Sequence, residues 1–415
     1  MSADLYAANH PSLFWRPLLA RPPSPEAWEQ AIGSAAACLP EGARAASGIG
    51  DLLAATLGEG QFGPGHWRLS RPRRLYYMVK PLLPRRAVMR ARRAAKGGAQ
   101  RAFPLGWPVE DRYRRFLWAA MGGLLEQLGL DEVPFVHFWP HGARYALVLT
   151  HDVEMAEGQS FVARVADQEE ELGFRSSFNF VAERYPLDRG LIRDLQARGF
   201  EVGIHGLRHD GRELRSQRAF AATARRLNDH LRDLGAVGFR SPLTHRHPEW
   251  LQALEVEYDT SFFDTDPYEP LPGGTMSIWP FALGRFIELP YTLAQDSTLV
   301  DVMGERSPRL WLEKAAYIER WGGMALLNTH PDYLRLAGRW EVYAALLDEL
   351  RARGSYWSPL PREAARWWRR RSDAGAASAL EGGREGLLRR GQLGEVEVVP
   401  PADLPVAATA SRSRS

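Results

Sequence analysis

Tyr145-Ala146-Leu147-Val148-Leu149-Thr150-His151-Asp152-Val153-Glu154 begins as a strand and ends in titratable side chains. Tyr145–Thr150 is a short apolar run rich in β-branched residues, the pattern of a buried strand. Downstream the same theme returns. Ser160–Leu172 reads as a helix closed by Gly173, Ser176–Val181 as a strand, and Leu187–Arg198 as a helix closed by Gly199. Phe200–Ile204 is the next predicted strand, followed by a long Arg-rich amphipathic helix over Glu213–Leu234 that ends at Gly235. Val237–Arg240, Tyr258–Phe263, Phe286–Leu289 and Met324–Asn328 continue the strand series. Leu310–Trp321, Glu341–Ala352 and Pro361–Arg370 supply the last helices. Such alternation predicts an α/β fold with a parallel sheet, open or closed into a barrel. In a barrel, catalytic groups sit at the C-terminal ends of the strands.

This zone, 141–371, is flanked by two others. Residues 1–140 are rich in Pro, Arg and Trp, with helical patterns at Glu26–Ala37 and Asp111–Leu128, and are expected to form a mainly helical region. Residues 372–415 are Ala, Gly, Ser and Arg with few large apolar groups and are expected to be a disordered tail. The 415 residues carry a net charge of +3, but the charge is unevenly placed. No acid occurs between Glu59 and Glu110, where twelve bases fall in the segment 68–101. Without those twelve, 41 bases face 50 acids, so the rest of the chain is near −9. The basic, aromatic, Pro-broken part of that segment reads as a linker or helical cover, or as a peripheral contact with an anionic membrane. No nucleic-acid-binding motif accompanies it. Cys38 stands alone, which excludes an internal disulfide. No signal-peptide pattern and no apolar run of membrane-spanning length is present, so a soluble cytoplasmic protein is expected, with contact at the inner face of the membrane as the variant.

The conspicuous polar residues cluster at predicted strand ends. Asp152 and Glu154 follow the first strand, His205 and His209 the third, and Arg240 ends the fourth. Asp259 opens the next, Asp296 follows Glu288-Leu289-Pro290, and His330 follows Ala325–Thr329. Each has an ordinary explanation. Asp152 suits a helix N-cap and Glu154 a first helical turn. A His pair four apart is common on solvated helices, Arg240 suits a plain ion pair, and His330 suits a loop carbonyl. The joint occurrence, all at strand ends, is much harder to explain by packing.

Taken together these segments resemble the polysaccharide deacetylase family, carbohydrate esterase family four, over about residues 141–371. Thr150–Glu154 resembles its first motif, which implies one carboxylate as base and a second as metal ligand. His205-x-x-x-His209 resembles the second motif, implying two metal imidazoles. Arg240-Ser241-Pro242 resembles the third, whose arginine orients the catalytic Asp. The stretch at Asp296 resembles the fourth, whose acid orients the last histidine, and Leu327-Asn328-Thr329-His330 resembles the fifth, whose histidine is the general acid. The resemblance implies a distorted (β/α)7 barrel. Three features depart from the family pattern. The first motif has its acids spaced by two rather than adjacent, and the second is Glu154. A His-Asp-Val-Asp/Glu subgroup, which includes allantoinase-like and imidase-like members, is closer. Acids two apart on an extended strand end point to the same side. Leu243-Thr244 replaces the usual aromatic-Gly pair.

The resemblance thus implies His205, His209 and Glu154 as ligands of a divalent metal. Zn2+ suits two imidazoles and a carboxylate, and non-haem iron uses the same set. If Glu154 is not a ligand, Asp152 binds the metal itself. Asp152 is expected as general base, paired with and oriented by Arg240, and His330 as general acid, held by Asp296. The expected substrate is an N-acetylated sugar or glycolipid. Hydrolysis of small cyclic amides and a catalytically dead carbohydrate-binding protein are the rival readings. Aromatic residues between the third and fourth motifs, Tyr268, Trp279 and Tyr291 among them, are expected to line the substrate cleft, although core packing explains the same residues.

Overall fold

The computed structural model describes residues 3–67, 85–391 and 395–404. Its described strands, in chain order, are β1 (Glu132–Val136), β2 (Tyr145–Val153), β3 (Ser177–Phe180), β4 (Glu201–Ile204), β5 (Gly238–Phe239), β6 (Tyr258–Asp259), β7 (Phe281–Leu283), β8 (Phe286–Glu288), β9 (Met324–Thr329), β10 (Tyr356–Trp357), β11 (Glu385–Arg390) and β12 (Val396–Val399). Seven of them, β9-β2-β3-β4-β5-β6-β8, follow one another in parallel as a curled sheet. β7 adds an antiparallel edge to β8, and β10 pairs with the start of β2. The ladder is interrupted between β8 and β9. There the amides of Thr292 and Leu293 both donate to Leu326 O at 3.1 Å, and Thr292 Oγ1 donates to Met324 O at 2.7 Å. These bonds close the curl where no strand does, which gives the expected barrel its distortion.

β2 is the central element. All nine of its residues are buried, because helices cover the outside and side chains fill the inside. The flanking helices form where the sequence pattern places them. In Gln217–Leu234 the buried residues Phe220, Ala224, Leu227, Leu231 and Leu234 recur at helical spacing, Ser216 Oγ accepts the Ala219 amide, and Gly235 closes the helix at φ +61°. The helix starts four residues later than the pattern suggested, because Glu213 is otherwise engaged. Its Oε1 accepts the amides of Leu207 and Arg208 at 2.8 and 3.1 Å, tying down the loop that carries His209.

Residues 3–67 pack onto the barrel. The Asn9 side chain both donates to Ala282 O and accepts Ala282 N, each at 2.8 Å, in the manner of a strand neighbour. Phe14 and Trp15 enter an aromatic core with Trp118, Phe138 and Trp368. Within the basic segment, residues 68–84 lie outside the described residues. The helix Arg85–Ala102 lies along Ser297–Met303, with Arg93 Nε donating to Asp301 O and Lys96 Nζ to Met303 O at 2.6 and 3.2 Å. No described helix is long and apolar enough to cross a membrane.

The expectation of a disordered tail from residue 372 is corrected by the structure. Pro361–Asp373 finishes as a helix, and β11 and β12 join β1 in an antiparallel sheet of three strands. Leu388 and Val396 are buried by this pairing. The physical reason is that β1 offers an unpaired edge, and a short alternating segment suffices to cover it. Of the expected tail, residues 392–394 and 405–415 lie outside the described residues.

Two outcomes test this arrangement. Leu388→Ala is expected to lower unfolding free energy by about 2–4 kcal/mol in urea titrations, whereas a disordered tail gives no change. Glu201, at the start of β4 and away from the strand ends that carry the site, accepts the Arg362 amide, and burial pushes its carboxyl up to about 7. The folded state therefore keeps a proton that the unfolded state has lost, so stability falls as pH rises from the ordinary carboxylate value to about 7. Glu201→Gln is expected to flatten that slope, with a gain on the order of 2 kcal/mol at pH 8 and none near pH 4.

Candidate metal centre and active site

The C-terminal end of β2 carries Asp152 into a cavity of about 80 Å3, lined also by Glu154, His205, His209, Ser241, Leu243, Thr244, Glu269, Gln295, Ser297, His330 and Tyr333. The structure thus brings together both acids and all three histidines singled out from sequence. Arg240 and Asp296 lie just behind them.

Asp152 is only 2% exposed, so its charge needs compensation from protein groups. Asn179 Nδ2, from β3, donates to Oδ1 at 3.1 Å, and Asn328 Nδ2, from β9, donates to Oδ2 at 2.8 Å. Gly203 makes room for this, since a Cβ there would stand 2.1 Å from Asn179 Oδ1. Arg240 comes within 3.7 Å of Asp152 Oδ1, too far for the hydrogen-bonded pair expected from sequence. Its Nε and Nη2 donate instead to Thr260 Oγ1 and Thr150 Oγ1, both at 3.0 Å. Arg240 therefore acts on Asp152 through charge, while the two asparagines orient it. Burial alone would raise the Asp152 pKa. The surrounding His205, Arg240 and His330, with the Asn179 bond, outweigh burial and lower it, which keeps the group ionised.

The two histidines of the second motif are arranged differently from each other. His205 Nδ1 lies 3.1 Å from Arg240 O, which fixes the tautomer with Nδ1 as donor. Nε2 then carries the lone pair, and it is buried with no hydrogen-bond partner. Burial, reinforced by His209, brings the His205 pKa down to about 4 despite the nearby acids. His209 sits at φ +53°, a left-handed conformation that turns its ring back towards the cavity, with Nε2 3.1 Å from Glu154 Oε1. Glu154 Oε2 accepts Tyr333 Oη at 3.0 Å, and the Glu154 amide donates to Asp332 Oδ2 at 2.8 Å. One ligand atom from each of Glu154, His205 and His209 lies within 4.8 Å of the others, a grouping suited to a metal ion. An orphaned imidazole nitrogen beside an ionised carboxylate is the donor set a divalent cation such as zinc requires.

His330 takes the opposite electrostatic state. Its Nδ1 lies 2.7 Å from Asp296 Oδ1, and its own amide donates to Asp296 Oδ2 at 3.0 Å. Burial would lower its pKa, but Asp296, with Glu154 and Asp152 beyond it, raises it to about 10. Nε2 points its proton into the cavity, 4.0 Å from Asp152 Oδ2.

The three aromatic residues expected at the substrate wall lie elsewhere. Trp279 is core: it packs on Phe14 and Trp118, and its Nε1 donates to Gly322 O at 2.8 Å. Tyr291 is buried against Phe263. Tyr268 packs against Trp107 and donates to Gln100 Oε1 at 3.2 Å. Aromatic rings between strands seal the barrel against its helices here, which takes precedence over lining a small polar cavity. In their place the wall is formed by Ser241, Leu243, Thr244, Glu269, Gln295 and Ser297. Sequence reading places Ser241 and Leu243-Thr244 beside Arg240 but does not find Asn179, Glu269, Gln295 or Ser297, because isolated polar side chains away from a motif carry no spacing signal.

No protein-family model matches the chain, and no curated protein does. Among solved structures, the chain is similar to a protein from Pseudomonas aeruginosa PAO1 assigned as a polysaccharide deacetylase, at 17% identity and TM-score 0.46, over 56% of this chain and 94% of that one. It is also similar to one from Mycobacterium smegmatis with the same assignment, at 18% identity and TM-score 0.45, over 56% and 92%. A third is the Puue allantoinase, at 16% identity and TM-score 0.45, over 56% and 93%.

His205→Ala is expected to abolish stoichiometric binding of zinc in calorimetry, since it removes a preformed donor. Tyr333→Phe frees one oxygen of Glu154 and is expected to weaken binding by about tenfold. Full zinc occupancy in His205→Ala would refute the ligand assignment.

Proposed function

We propose that this protein is a metal-dependent hydrolase that removes an N-acetyl group from a sugar or polysaccharide intermediate, with zinc as the metal. One observation carries the reading. A single buried cavity holds an ionised carboxylate, a neutral imidazole with a free lone pair and a protonated imidazole, each kept in that state by its own partners. Environments that push titratable groups apart in this way assign acid and base roles.

A divalent ion held by Glu154, His205 and His209 would supply Lewis acidity at the acyl oxygen and bring water towards a pKa of about 7. Asp152 accepts the proton of the attacking water. Each of its oxygens takes one amide hydrogen bond and keeps a second lone pair for this purpose. His330 Nε2 hands its proton to the leaving nitrogen as the acyl C–N bond breaks, and Asp296 stabilises the imidazolium until then. The products are a free amine and a carboxylate. Arg240 contributes a fixed positive charge behind Asp152. The polar wall of Ser241, Thr244, Glu269, Gln295 and Ser297 suits a ring bearing hydroxyl groups.

The small size of the cavity also suits the second reading, hydrolysis of a small cyclic amide by the same residues. The discriminating experiment is an acetate-release assay on N-acetylhexosamine conjugates and chitooligosaccharides, run beside ring-opening of hydantoin-type compounds. The proposal expects acetate release that disappears with a chelator and returns with zinc. Asp152→Asn is expected to retain metal and lose about 10²–10⁴-fold in kcat. Ring opening without acetate release would select the second reading.

A further inference from the structure

Two adjacent residues of the cavity wall, neither of them glycine, adopt the left-handed conformation, Leu243 at φ +59° and Thr244 at φ +52°. For a β-branched residue such as Thr this is an outlier, and it persists only where the surroundings hold it. The restraint on Thr244 is visible. Its Oγ1 donates to Glu269 Oε2 at 2.8 Å, and Glu269 Oε1 accepts Gln295 Nε2 at 2.9 Å. Its carbonyl accepts Arg246 Nη1 at 2.8 Å.

Arg246 is buried, and its charge is met from far away in the chain. Its Nε and Nη2 donate in a bidentate pair to Glu59 Oε2 and Oε1 at 2.7 and 2.5 Å. Both side chains are 0% exposed. The guanidinium also lies over the Phe263 ring at 4.4 Å. Gly273 lets the pair form, because a Cβ there would be 2.3 Å from Glu59 Oε1. A continuous path of buried polar contacts thus runs from residues 3–67, through Glu59 and Arg246, to the carbonyl of a strained residue that faces the reacting groups. The metal ligands take no part in it.

We propose that Glu59 and Arg246 are positioning residues for the substrate wall. The N-terminal region shapes the side of the cavity formed by Leu243 and Thr244, and through it sets which acyl groups fit. This inference rests on the hydrolase reading given above. Leu243 is one of the few apolar groups among the residues lining the cavity, so its placement governs the room left for an acyl chain. Acetyl fits the held wall, and longer acyl groups fit only when the wall relaxes.

The test uses the full chain. Glu59→Gln alone leaves a buried guanidinium uncompensated and risks unfolding, so the informative variant is the double Glu59→Gln/Arg246→Met, which leaves no buried charge unpaired. Zinc content, Michaelis parameters on N-acetyl-, N-propionyl- and N-butyrylglucosamine, and amide hydrogen exchange over Leu243–Arg246 are compared with the wild type. The expected result is unchanged zinc content, a KM for the acetyl substrate raised about tenfold with kcat within about threefold, and a propionyl-to-acetyl ratio raised about fivefold or more. Exchange over the segment is expected to quicken by about tenfold or more. A folded double variant with wild-type KM, acyl preference and exchange overturns the proposal. If the wild type releases no acyl group from these compounds, from N-acetylhexosamine conjugates or from chitooligosaccharides, the deacetylase reading has failed. Exchange then decides alone whether the pair holds the wall.

Discussion

A carboxylate that is 2% exposed and still ionised is the constraint around which the mouth of this barrel is built. Removing a charge from water costs several kcal/mol unless protein dipoles and charges replace the lost solvation. Asp152 obtains that replacement from its strand neighbours. It stands directly across from Asn179 on β3, and Asn328 pairs with Thr150 on the other flank, on β9. A slip of one residue in either pairing would turn an asparagine to the opposite face and leave the charge unsupported. The support of this charge and the sheet register are therefore the same requirement. Gly203 belongs to it as well, by giving Asn179 the space to reach.

Around this anion the protein holds two imidazoles in opposite states. His205 points one nitrogen at a backbone carbonyl, which offers a dipole but no charge, and burial keeps the ring neutral. His330 points the same nitrogen at a carboxylate and becomes cationic in an equally buried setting. The main difference is what stands behind each ring. One ring can offer a lone pair and the other a proton, within one small cavity and at one pH. That division of labour is what the proposed hydrolysis requires, and a cluster of buried polar residues that merely satisfy one another has no need of it.

Much of this was readable from the sequence, for identifiable reasons. Most of the seven parallel strands are short, largely apolar runs that end at or next to a titratable residue, and burial on both faces leaves little else they can be. Asp152, the histidines and Asp296 stood out because charged and imidazole groups rarely follow buried strands without cause. The position of Arg240 was legible, but its hydrogen bonds go to Thr150 and Thr260, and nothing in the sequence ranks a threonine above an aspartate as partner. Trp279 and Tyr291 were unreadable in principle, because a ring that seals a core and a ring that lines a cleft look alike in one dimension. The strands β11 and β12 are hard to read because they are short, and because β11 ends in two arginines. Their apolar residues gain a use only when β11 covers the waiting edge of β1 and β12 in turn covers β11. The Glu59–Arg246 pair joins positions 187 residues apart and left no local trace at all.

The measurement that tests the central claim most directly is an anomalous-scattering map of zinc-loaded crystals. The account predicts one zinc site, with the ion about 2.0–2.2 Å from His205 Nε2, a nitrogen of His209 and an oxygen of Glu154, and Asp152 outside the coordination sphere. Zinc coordinated by Asp152 in place of Glu154, or no zinc in this cavity, would contradict it.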